Sequence, residues 1–116
     1  MGKYVDLNLL VGEPLEIKGL DGEIYRIPSE IPTKFYIKLM AYEQKYKEAK
    51  SSEDQLKLIR QMAIDILNLD PEKNITEEHF NKYFDNVNVM RKLIEVMMDH
   101  MQGELQDPNS QSPESE

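Results

Sequence analysis

The stretch Asn86–Gly103, NVNVMRKLIEVMMDHMQG, decides the fold. Met90, Leu93, Ile94, Met97 and Met101 recur at helical spacing, with Val89, Val96 and Met98 beside them. Arg91, Glu95, Asp99 and Gln102 share one narrow polar stripe. A surface helix needs one apolar stripe, roughly 100° wide. This helix is greasy over more than half its circumference, so it must be covered on several sides. Asn88 or Asn86 is placed to cap its start, and Gly103 suits a left-handed residue just past its end.

Working backward from that helix, Thr76 is an N-cap with Glu77 and Glu78 in the first turn, where the helix dipole favours anions. Phe80, Tyr83 and Phe84 form the apolar side of this short helix. Before it, a helix from Ser52 to about Asn68 carries Leu56, Ile59, Ala63, Ile66 and Leu67 on one face, with Leu58 and Met62 adjacent. Ser52 and Gln55 have capping-box form, and Asp70-Pro71 stops the helix. A first helix is predicted from Thr33 to about Ala49, lined by Phe35, Leu39, Tyr42 and Tyr46, with Tyr36 and Met40 beside them.

Residues 14–28, PLEIKGLDGEIYRIP, read as a β-hairpin. Asp21-Gly22 suggests a two-residue turn, but that register puts Leu15 and Ile17 on one face with Ile24 and Arg26. A three-residue loop, Leu20-Asp21-Gly22, gathers Leu15, Ile17, Tyr25 and Ile27 instead. One residue of register decides which face is buried, so the longer loop is expected, with Gly22 left-handed at a bulge. A lone hairpin is marginal in water and must lie on the helices or gain a further strand. Val5, Leu7 and Leu9 alternate with polar residues and permit a short strand there.

These pieces predict a mainly α domain with an N-terminal hairpin (α+β), a small bundle of about four helices spanning residues 1–103. From Glu104 onward there are four acids, no Lys or Arg, and one apolar residue, Leu105. Such a segment buries too little to offset its ordering entropy, so 104–116 reads as a disordered tail.

The 116 residues contain no Cys, which removes disulfide frameworks and thiolate metal sites. No stretch reaches the ~20 apolar residues of a membrane span. The N-terminus makes a poor signal peptide, and Asp6 stands where a myristoylation site wants Ser or Thr. A cytoplasmic protein is expected. The net charge of −8 argues against duplex nucleic acid, which needs a cationic footprint.

No catalytic, cofactor or metal site is predicted. His79 and His100 sit on different helices, without the converging ligands zinc needs. Asp70–Asn81 has oxygen side chains at alternate positions, as calcium loops do. Ile75 stands where such a loop needs Gly, and Asn81 where it needs a bidentate Glu. The methionines suggest binding, because unbranched thioethers adapt to varied partners. Met90, Ile94, Met97, Met98 and Met101 are therefore the candidate partner-binding residues, although Met90 and Met97 also suit a core.

One resemblance follows from the layout. A hairpin running into GEIYRIPSEIP (Gly22–Pro32) precedes a helix; a second helix ends in LNLDPEKNITEEHF (Leu67–Phe80); an apolar helix and polar tail close the chain. Over roughly residues 14–103 this resembles the tail assembly chaperones of long-tailed, siphovirus-type phages of Gram-positive hosts. The resemblance implies a protein that coats the tape-measure protein and helps recruit tail-tube subunits. It also implies residence in the host cytoplasm, absence from the finished virion and, in some members, a frameshift-extended form. It supplies no catalytic residues. The 13 residues ahead of the hairpin are longer than that family's layout implies. An apolar helical partner, or copies of the chain itself, is the expected ligand. The competing reading is a small acidic adaptor, acting as a decoy for a nucleic-acid-binding protein. Steep weakening by salt would distinguish it.

Overall fold

The computed structural model describes Tyr4, Asp6, Leu7 and residues 12–105, with 103–105 described by backbone alone. Two strands, β1 (Leu15–Lys18) and β2 (Ile24–Ile27), precede four helices: α1 (Thr33–Glu48), α2 (Ser52–Leu67), α3 (Glu77–Tyr83) and α4 (Val87–Leu105). Of the expected strand around Val5–Leu9 only Asp6 and Leu7 are described, and neither is in a strand. Of the tail expected over 104–116, the first two residues continue α4, and 106–116 lie outside the described residues. No described helix is long and apolar enough to cross a membrane.

The hairpin adopts the three-residue loop. Leu15 pairs with Ile27 and Ile17 with Tyr25, in antiparallel register. Gly22 takes φ 84°, which an L side chain adopts only at a cost, and its N–H donates to the Gly19 carbonyl at 3.0 Å. Tyr25 and Ile27 are buried, and Leu15 and Ile17 pack against the same core. Glu16, Lys18, Ile24 and Arg26 face outward.

Two helix starts follow local chemistry as expected. The Thr76 hydroxyl accepts from the His79 N–H at 3.1 Å, and the Asn86 side chain accepts from the Asn88 and Val89 N–H groups. The start of α2 differs by one residue: Ser51, not Ser52, is the cap, accepting from the Asp54 N–H at 3.1 Å. Either serine fits the local signal. At the other end, α4 runs through Gly103 to Leu105 and does not stop at that glycine. A glycine inside a helix costs only about 1 kcal/mol relative to alanine.

The core lies between the inner face of the hairpin and α2, α3 and α4. Ile59, Ala63, Ile66 and Leu67 are buried as expected, and Met62 and Ile64 are buried with them. The second half of α2 is thus enclosed on nearly every side, while Leu56 in its first half is exposed. Phe80 and Phe84 stack at 5.7 Å, and Tyr25 meets the Phe84 ring edge-on at 5.9 Å.

Candidate functional site

The five candidate partner-binding residues do not form a surface. Met90, Ile94, Met97 and Met101 are between 1% and 8% exposed, and Met98 is half-buried against the same core. Within this chain these side chains face the core. The reason is topological: α2 packs along α4, and the buried side chains of both join those of the hairpin and α3 in one core, so the greasy circumference finds cover within the chain. The sequence shows that α4 needs several neighbours but not that its own fold provides them.

Apolar surface is left open elsewhere. The 16 residues of α1 include a single buried side chain, Phe35. Leu39, Tyr42 and Tyr46 on the same stripe are half-buried. Ile37 and Met40, on the opposite side of the helix, are 58% and 62% exposed. The first half of α1 is therefore apolar front and back, an arrangement suited to a helix held between two neighbours. Lys34, Lys38, Lys45 and Lys47 against Glu43 and Glu48 make it a cationic element in an acidic chain. The i, i+3 spacing of Ile37 and Met40 was visible in the sequence as the signal for this second face.

A second opening lies between the hairpin loop and the first half of α4. Its volume is about 230 Å³, and Ile17, Leu20, Phe84, Val89, Leu93 and Val96 line it together with Lys18 and Lys92.

The polar clusters are structural ties. The Asp21 carboxylate accepts from the Tyr25 hydroxyl at 2.5 Å and the Glu23 N–H at 3.1 Å, and its Oδ2 lies 2.7 Å from His79 Nε2. Burial would raise the Asp21 carboxyl, but the Tyr25, His79 and backbone hydrogen bonds together hold it below the usual range. Burial and the Asp21 carboxylate push the Tyr25 hydroxyl well above the ordinary tyrosine range. Asp70, which is buried, accepts from the Arg26 N–H at 2.8 Å and the Glu72 N–H at 2.9 Å. Burial raises this carboxyl too, yet those two hydrogen bonds and Lys73 hold it below the usual range. The oxygens of Asp70 are thus committed to tying β2 to the α2–α3 linker. Among the described residues, no group of three His, Asp or Glu side chains could hold a metal ion. His100 Nε2 lies 3.2 Å from the Pro28 carbonyl, linking α4 to the end of β2.

Asp21, Tyr25, His79 and Asp70 carry no signal in local sequence, because each tie joins segments distant along the chain or buried only by the fold. No family model, curated relative or solved structure matches the chain, so its function is argued from its own residues and surfaces.

Proposed function

We propose that this chain is a non-catalytic assembly chaperone that holds an apolar helical partner. A tail assembly chaperone of a long-tailed phage, with the tape-measure protein as that partner and tail-tube subunits recruited to it, is the specific form proposed. The observation that supports it is α1: Ile37 and Met40 stand exposed on a helix whose front stripe is itself only half covered. A partner helix laid on that face would bury both residues, at about 25 cal/mol for each Å² of apolar surface removed from water. The remaining surface is acidic and keeps such an assembly soluble.

Under this reading the holding face lies on α1 and not on the methionines of α4. Co-expression with a tape-measure protein tests the proposal. The two should co-purify, and Ile37→Lys with Met40→Lys should abolish co-purification while the circular dichroism spectrum stays unchanged. A chain that remains strictly monomeric and ignores the tape-measure protein overturns it.

A further inference from the structure

We propose that the outer edge of β1 and the apolar groove beside it form a separate docking site for an extended peptide segment. The segment carries apolar side chains at alternate positions and a carboxylate at its flank. This site uses a different surface from α1, so it stands or fails independently of the helical-partner reading.

The backbone supplies the first argument. The Gly19 N–H donates to the Glu23 carbonyl at 2.8 Å, which sets the phase of the hairpin. In that phase Ile17/Tyr25 and Leu15/Ile27 are the pairs that exchange hydrogen bonds. The N–H and C=O groups of Glu16 and Lys18 therefore point away from β2. Among the described residues, nothing pairs with them. The opposite edge of the sheet is treated differently: the Arg26 N–H is taken by Asp70. On the β2 edge a buried carboxylate takes one outward N–H, whereas among the described residues no group takes those of β1, which leaves that edge available to a further strand.

The groove supplies the second. Ile17 and Leu20 on the hairpin side face Val89, Leu93 and Val96 on α4. Its volume of about 230 Å³ is below the ~300–1,000 Å³ of small-molecule sites. It fits side chains projecting from a strand better than a free ligand. A strand paired to β1 presents every second side chain to one face, which gives the alternating apolar pattern.

Charge supplies the third. The ionisable residues lining the groove are Lys18 and Lys92, in a chain of net charge −8. The Lys92 ammonium lies 3.3 Å from Glu95, but both side chains are mostly exposed, and such a pair holds its partners weakly. Lys18 has no ion-pair partner among the described residues. A carboxylate on the incoming segment meets two cations there.

The test uses the full chain and a fluorescent synthetic peptide of about seven residues, alternating Val and Thr between terminal Glu residues. Saturable binding is expected, with amide exchange at Glu16 and Lys18 slowed at least tenfold in the complex. N-methylation of the peptide amides that face β1 should weaken binding at least tenfold, whereas methylating the alternate amides should not. Leu20→Glu, at an exposed position, should weaken binding at least tenfold and leave the fold unchanged. Ile37→Lys should leave peptide binding intact. The proposal is overturned if the folded chain ignores the peptide, or if a Lys-flanked version binds equally well at low salt. It is also overturned if the Glu16 and Lys18 amides are already protected in the free monomer, which would mean the chain's own N-terminal segment fills the edge. Protection that appears only as the free chain dimerises would overturn it in favour of a second copy.

Discussion

Asp21 and His79 are 58 residues apart in the chain, yet Oδ2 of the one lies 2.7 Å from Nε2 of the other. The contact fastens the hairpin loop to α3. The Asp21 side chain is 2% exposed, and its carboxylate also takes the hydroxyl of buried Tyr25. This small group of side chains determines how the hairpin sits on the helices, and hence the shape of the groove beside it.

Removing the carboxylate should be costly out of proportion to the change in volume. Asp21→Ala leaves the Tyr25 hydroxyl buried without its acceptor, a penalty of about 1–3 kcal/mol. The urea midpoint should fall accordingly. His79→Ala, at a partly exposed position, should cost less. The double variant should cost less than the sum of the two, because both substitutions break one contact.

Stability should depend on pH at both extremes. The Asp21 and Asp70 carboxyls titrate below their unfolded value of 3.8, because hydrogen bonds to the charged form outweigh burial. The unfolded chain therefore binds these protons first. Their contribution is complete above about pH 4 and is lost as pH falls through the folded values. Urea midpoints measured from pH 7 down to about pH 3 should drop at the acid end. Asp70→Asn should make that drop shallower. At the alkaline end the sign reverses. The Tyr25 hydroxyl is raised above its unfolded value of 10.0, chiefly by burial and then by Asp21. Its contribution is complete below about pH 10 and is lost above it. Tyr25→Phe should remove part of the alkaline loss; Tyr42, also raised by burial, accounts for another part.

The two loop glycines should respond unequally to alanine. At Gly22 the backbone has φ 84° with open space around it, so Gly22→Ala should cost about 1 kcal/mol of backbone strain. A Cβ at Gly19 would come within 2.5 Å of Asp21 Oδ1 and 2.9 Å of the Phe84 and Tyr25 rings. Gly19→Ala should therefore cost more than Gly22→Ala and disturb the Asp21–His79 contact. Thermal denaturation of the two variants gives the order.

Buried and exposed methionines separate stability from binding. Met97→Ala should lose about 2–5 kcal/mol, the usual range for emptying a core site. Met101→Lys should unfold the domain, because it places a charge at a buried position. Ile37→Lys and Met40→Lys should change stability by no more than about 0.5 kcal/mol. Chemical denaturation distinguishes these cases before any partner is added.

Much of the local structure was legible in the chain. The helices follow from apolar spacing, and Thr76 and Asn86 cap where short polar side chains stand before an apolar run. The hairpin register follows because one loop length alone gathers Leu15, Ile17, Tyr25 and Ile27 on a single face. The local signal did not separate Ser51 from Ser52 as the cap of α2, and Gly103 proved no barrier to α4. These are small errors of the same local kind.

The candidate site was a different matter. Periodicity states which side chains share a face, since repeats of 3.6 and 2 residues are properties of the backbone. Whether a face is covered depends on which distant elements lie against it. Tertiary packing brought α2 against α4, burying its methionines in a shared core, and left Ile37 and Met40 of α1 in water. It also placed His79 against Asp21, a proximity that neither residue's neighbours in the chain could specify. The sequence by itself determined the elements and their faces; only the folded chain decided which of those faces remain open, because burial is a relation between segments far apart along the backbone.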